Sequence, residues 1–173
     1  MTETRHVELD PATDDNADTR ACLAVWRALR RDRKFPAWKD FDWFAYPVLV
    51  IPYLAVADVV DDGADFRYRF WGTAHTAIFH QDYTHALVSD VQPAEIAQGL
   101  MRQYERVIAA GAPCLFMFEV LGGPNNDLPV RETSLRMPYS GDGEAVTQIV
   151  SLSDNRRQAN EFAEFYAASR EPG

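Results

Sequence analysis

Three features of the sequence predict an α+β fold with five antiparallel strands. Residues 54–60 and 66–71 are strand-like and flank the turn residues Asp61-Asp62-Gly63-Ala64-Asp65, and in the second of them Phe66, Tyr68 and Phe70 alternate with Arg67 and Arg69. Residues 93–110 carry Ile96, Leu100, Tyr104 and Val107 on one helical face and are closed by Gly111. Three further strand candidates, 114–121, 130–139 and 146–152, then follow with no helix between them. A hairpin, a helix and a three-strand meander joined by short connections make an antiparallel sheet with helices packed across it.

Taken in chain order, residues 1–17 hold Asp10, Pro11, Asp14, Asp15 and Asn16 without periodicity and read as a flexible acidic leader. A helix starts near Asp18, with Asp18 or Thr19 as its cap and Leu23, Trp26 and Leu29 at helical spacing, and Pro36 ends anything that passes Arg33. Residues 40–44 suit a second short helix before Pro47 and Pro52 impose extended or turn geometry. After the hairpin, Thr73 can cap a short helix toward Phe79, and residues 80–91 read as loop with short helical turns.

In the meander, 114–121 is long and apolar, 130–139 alternates through Thr133, Leu135 and Met137, and 146–152 is β-branched and apolar. Gly122-Gly123-Pro124-Asn125-Asn126-Asp127 and Ser140-Gly141-Asp142-Gly143 are turn-forming connectors. Residues 156–170 place Ala159, Phe162, Phe165 and Tyr166 on one helical face. The organisation is therefore a leader 1–17, a domain 18–155 and a C-terminal amphipathic helix 156–173. The central helices cover one face of the sheet, and the flanking helices at the two ends can cover the other.

Composition narrows the function. The 173 residues are 47% hydrophobic and 25% charged, which suits one globular domain. Fifteen arginines and two lysines against 26 acidic residues leave a formal charge of −9. A nucleic acid or an anionic membrane needs a cationic face, so neither is expected as a partner. Arg27, Arg30, Arg31, Arg33 and Lys34 form the one basic cluster and read as a solvated helix end. Two cysteines, Cys22 and Cys114, exclude a disulfide framework and a cysteine-built zinc or iron–sulfur site within one chain. No apolar run has the length of a signal peptide, and the longest, 43–57, contains Pro47 and Pro52, so a cytoplasmic protein is expected.

The element order, and several segments within it, resemble the PAS fold and in particular a family of small bacterial proteins built from a single stand-alone PAS-like domain. The segments are Phe66-Arg67-Tyr68-Arg69-Phe70-Trp71-Gly72-Thr73, Gln81-Asp82-Tyr83-Thr84, Tyr104-Glu105-Arg106-Val107-Ile108-Ala109-Ala110-Gly111-Ala112-Pro113, and Met137-Pro138-Tyr139-Ser140-Gly141-Asp142-Gly143 before a strand. The resemblance runs over about residues 26–152. It departs after Asp82-Tyr83-Thr84, where the family pattern favours glycine and this chain has His85-Ala86. The resemblance implies a sensory module that binds a small molecule between sheet and central helices, or pairs through its flanking helices. No segment resembling an output domain follows Leu152, so a signal would pass to a protein partner.

Candidate ligand-binding residues around that space are Tyr68, Phe70, His75, Phe79, His80, Tyr83, Tyr104, Phe116, Phe118 and Leu135, which serve equally as plain core packing. His75, His80 and His85 are spaced by five, whereas a shared ligand face on a helix needs three or four, so no metal site is expected. A haem or flavin is a possible cofactor in a PAS-like pocket. Trp26, Leu29, Phe162, Phe165 and Tyr166 either dock on the chain's own sheet or pair in a homodimer. Glu119, Arg131, Glu132 and Arg136 on neighbouring strands suggest cross-strand ion pairs. No phosphate loop or nucleophile elbow is present, and a non-catalytic module is expected. A small cone-shaped α+β enzyme of the isomerase or hydratase type is the alternative, and it requires a buried carboxylate or histidine of perturbed pKa in one deep cavity.

Overall fold

A computed structural model describes residues 3–121 and 129–168. Its strands are β1 (Glu3–Leu9), β2 (Leu54–Val60), β3 (Asp65–Trp71), β4 (Cys114–Leu121), β5 (Val130–Tyr139) and β6 (Gln148–Asp154). Its α-helices are α1 (Ala17–Arg30), α2 (Thr73–Phe79), α3 (Ala94–Ala110) and α4 (Ala159–Ala168). The strands form one antiparallel sheet in the order β1-β4-β5-β6-β2-β3. The expected hairpin is β2–β3 and the expected meander is β4–β5–β6. The expected glycine-rich connector 122–127, and residues 169–173 of the range expected as a C-terminal helix, lie outside the described residues.

The sixth strand corrects the expectation of five. Thr4 to Leu9, expected in a flexible leader, pairs residue for residue with β4, from Thr4 opposite Val120 to Leu9 opposite Leu115. Its own composition favours no strand, so partners across the structure supply the stabilisation. Glu8 pairs with Arg106 of α3 at 2.9 Å, Arg5 lies 3.9 Å from Glu119, and His6 reaches Gln103. The acidic segment that follows caps local turns. Asp10 caps the 3-10 turn Pro11–Thr13, and Asn16, not Asp18 or Thr19, caps α1 by accepting from the backbone of both.

Between α1 and β2 the chain makes three 3-10 segments, Trp38–Asp40, Trp43–Ala45 and Val48–Tyr53, where one short helix and then extended or turn geometry were expected. The last of these tolerates Pro52 because it spans only six residues and makes few bonds for a proline to remove. Gly72 caps α2 in place of Thr73. A Cβ at Gly72 would stand 2.1 Å from the Pro52 carbonyl oxygen, so the glycine is required by the backbone crossing at that point.

Both faces of the sheet are covered. On one face α1 and the 3-10 segments bring Leu23, Trp26, Tyr46 and Val50 onto Leu135, Met137, Tyr139 and Leu152. On the other face α2, α3 and α4 pack Phe79, Tyr104, Phe162 and Tyr166 onto Tyr68, Phe116, Phe118 and Ile149. The C-terminal helix therefore joins the central helices, and the N-terminal helix alone covers the other face among the α-helices described. Ring stacking fixes α4 there: Phe79 and Tyr166 lie 4.1 Å apart, and Phe118 and Phe162 6.0 Å. No helix among the described residues is long and apolar enough to cross a membrane.

Candidate functional site

Strict alternation along β5 and β6 turns Leu135, Met137, Val150 and Leu152 toward α1. The intervening residues, Glu132, Ser134, Arg136, Ser151 and Ser153, then face α2, α3 and α4. In a sheet with one wet face this row would meet water. Here three helices cover it, so a polar row is buried inside an apolar shell, where each group must find a partner. The register provides some of them: Arg136 stands directly opposite Ser151, and Ser134 opposite Ser153. The two serine hydroxyls bond at 3.0 Å, and Arg136 Nη1 donates to Ser151 Oγ at 2.9 Å.

Arg136 is the centre of this row and is only 3% exposed. Its Nε donates to Gln103 Oε1 at 2.8 Å, and its guanidinium lies over the Tyr104 ring at 4.5 Å, so α3 supplies both partners. Gln103 continues the chain of bonds to His6 Nδ1 at 2.8 Å, which ties the interior to the edge strand β1. The approach of His6 to α3 depends on Gly99, where a Cβ would lie 2.3 Å from His6 Nε2. Burial and the charges of Arg102 and Arg136 lower the His6 pKa to about 4, so the imidazole is neutral at pH 7. Among the described residues Arg136 forms no ion pair.

Glu132 lies on the same strand and face and lines the same space, but its carboxylate makes no contact ion pair with Arg136. It accepts from Asn155 Nδ2 at 2.9 Å and from Ser134 Oγ at 3.2 Å. Burial raises its pKa above the ordinary carboxylate value, against the lowering by these bonds and by Arg136. Of the four residues expected in cross-strand ion pairs, Glu119 and Arg131 do pair, opposite each other on β4 and β5 and turned to the α1 face.

A small cavity of about 20 Å³ lies among these groups. Its wall includes Tyr68, Trp71, His75, Tyr104, Glu132 and Arg136, with Phe79 and Leu100 on the helix side. The space suits roughly one water molecule. Two buried polar atoms of the wall, Trp71 Nε1 and Tyr104 Oη, have no hydrogen-bond partner of normal geometry, although the Tyr104 hydroxyl neighbours that of Tyr68. His75 donates or accepts through Nε2 with the Tyr53 carbonyl at 3.0 Å, and burial lowers its pKa to about 4.

Of the residues expected around a ligand, Tyr68, His75, Phe79 and Tyr104 line this cavity. Tyr83, Phe116 and Phe118 belong to the same core without lining it, and the Tyr83 hydroxyl accepts from Gln92 N at 3.1 Å. Phe70 and Leu135 correct the expectation, because both lie on the opposite face of the sheet, Phe70 against Trp43 at 4.6 Å. For Phe70 the cause is a register irregularity between Val56 and Ala57 of the neighbouring strand, which ends the simple alternation of β3. His80 is exposed at the end of α2, where its Nε2 meets the Ala163 carbonyl of α4 at 3.0 Å. His85 takes the left-handed conformation, φ 71°, that the family pattern assigns to glycine, and its N–H donates to the Tyr68 carbonyl at 2.7 Å.

The expected pairing residues are committed to this chain. Trp26 is buried and donates Nε1–H to the Pro138 carbonyl at 2.7 Å, Leu29 is half-buried, and Phe162, Phe165 and Tyr166 are buried on the sheet. Sequence reasoning missed Trp71, Gln103, Ser151 and Ser153, and it placed Glu132 and Arg136 in cross-strand ion pairs. The signal that could have found them is an excess of apolar helical faces over what one side of a sheet can cover. No group of three or more metal-ligating side chains occurs among the described residues. At about 20 Å³ the cavity is far smaller than the several hundred of a typical small-molecule or cofactor site.

No protein-family model and no curated protein matches the chain. Among solved structures it is similar to an RNA-binding light-oxygen-voltage receptor, at a TM-score of 0.45 and 14% identity over 98% of this chain. The chain spans 44% of that receptor's length.

Proposed function

We propose that the chain is a PAS-like sensory or regulatory module whose cavity between the sheet and α2, α3 and α4 binds a small molecule and whose occupancy is read by a protein partner. The observation that carries this reading is Trp71 Nε1, a buried donor without a partner, on the wall of this cavity beside the Tyr104 hydroxyl. A buried polar group left without a partner costs about 1–3 kcal/mol, which a ligand that supplies the missing bonds recovers. The space is water-sized, so a larger ligand enters only if the α2–α4 wall moves outward. Thermal unfolding in the presence of a panel of small metabolites tests the reading. A binder at about 100 times its Kd stabilises by about 2.7 kcal/mol, and the gain is reduced in Trp71→Phe and Tyr104→Phe. A panel without a single stabiliser, together with mass spectra free of any co-purifying molecule, would count against a ligand site.

A second reading is favoured by one observation: Glu132 and His75, two titratable groups with shifted pKa values, line the same cavity. In a small α+β enzyme a carboxyl group with a raised pKa would serve as a general acid. That reading requires turnover of some substrate by the wild type and its loss in Glu132→Gln.

A further inference from the structure

We propose that the cavity takes a small molecule bearing a carboxylate, received by the Arg136 guanidinium together with Trp71 Nε1 and the Tyr104 hydroxyl. The inference rests on the reading of this cavity as a ligand site and names the chemistry it selects. Arg136 is 3% exposed, and among the described residues its guanidinium meets only neutral groups: the Gln103 amide, the Ser151 hydroxyl and the face of the Tyr104 ring. Taking a cation out of water costs several kcal/mol, and buried cations are ordinarily paired with an anion. The nearby carboxyl group, Glu132, is committed to Asn155 and Ser134 and makes no ion pair with Arg136. The buried positive charge therefore faces the cavity with Glu132 near enough to feel it but with no carboxylate in contact with the guanidinium among the described residues.

The other open valences match. The indole N–H of Trp71 is a donor only, and the Tyr104 hydroxyl can donate. A guanidinium fork with two further donors suits the two oxygens of a carboxylate, and a neutral amide of the same shape replaces one of those oxygens with a donor. An incoming carboxylate also competes for the Arg136 donors now used by Gln103 and Ser151. Gln103 is the residue that holds His6, so occupancy reaches the edge strand β1 through a single side chain.

The test is a set of 1H–15N spectra of the full chain, with the Trp71 indole N–H assigned by its disappearance in Trp71→Phe. The smallest carboxylates, formate and acetate, are titrated against formamide and acetamide at constant pH and ionic strength. The expected result is a saturable shift of the Trp71 indole signal by at least one carboxylate, with the matching amide weaker by roughly tenfold or more. Arg136→Gln abolishes the preference. If that variant does not fold, the comparison of acids with amides on the wild type still decides. Equal shifts by acids and amides would overturn the carboxylate and leave the ligand site standing. Silence of the Trp71 signal to both series would overturn the ligand site as well.

Discussion

The imidazole of His75 is held at about 4 by burial, against 6.5 for an exposed histidine. Between those values the unfolded chain binds a proton that the folded chain does not, so stability rises with pH across the window and is lost as pH falls from 6.5 toward 4. His6, with a pKa of about 4, acts in the same direction, while the raised pKa of Glu132 acts in the opposite one, losing its contribution as pH rises above the ordinary carboxylate range. Urea unfolding at intervals between about pH 7 and pH 4.5 should show stability falling on the acid side, with a shallower fall in His75→Gln. Equal slopes for the two proteins would remove His75 as a source. Burial sorts other side chains as sharply. Phe162 is fully buried and Phe44 is 97% exposed, so Phe162→Ala should cost about 3–5 kcal/mol and Phe44→Ala less than about 0.5 kcal/mol in the same assay. At this scale the sequence showed which residues are aromatic and which are charged, but it did not separate Phe70 from Tyr68, because a single register irregularity in the adjacent strand decides their faces.

Elements hold together at two close approaches that glycine permits. At Gly72 a methyl group would meet backbone, 2.1 Å from the Pro52 carbonyl oxygen, and backbone cannot rotate away. Gly72→Ala should therefore lower stability by about 2–3 kcal/mol, measured by denaturant midpoint at unchanged m-value. At Gly99 the methyl group would meet the His6 ring, which belongs to an edge strand. Gly99→Ala should leave the helix intact, since alanine is the better helix former, and loosen β1. Hydrogen exchange reads this directly: amides of residues 4–9 exchange faster than in the wild type, while those in β5 keep their protection. Uniform acceleration of both strands would show that β1 is not a separable unit. The same strand explains what was illegible in the sequence. Thr4 to Leu9 carry arginine, histidine and glutamate, and their strand depends on Glu119, Arg106 and Gln103, all about a hundred residues away.

For the molecule as a whole, the apolar stripe of α4 is spent inside the chain, and the large apolar side chains left outside among the described residues are Phe44, Val48 and Leu49. A clustered apolar patch of this kind binds hydrophobic dyes and partners alike. The double variant Phe44→Ser, Leu49→Ser should bind less of a fluorescent hydrophobic probe in the native state, with its unfolding midpoint nearly unchanged, whereas unchanged binding would place the accessible apolar surface elsewhere. By itself the sequence determined what depends on neighbours along the chain. The bounds of β4 and β5, the helix ending at Gly111 and the hairpin around Asp61-Asp62-Gly63 all follow from periodicity and turn chemistry. Only the tertiary structure decided that both faces of the sheet are covered. That one fact turns the alternating Ser134, Arg136, Ser151 and Ser153 from a solvated face into a buried polar row, because alternation fixes which residues share a face but not what that face meets.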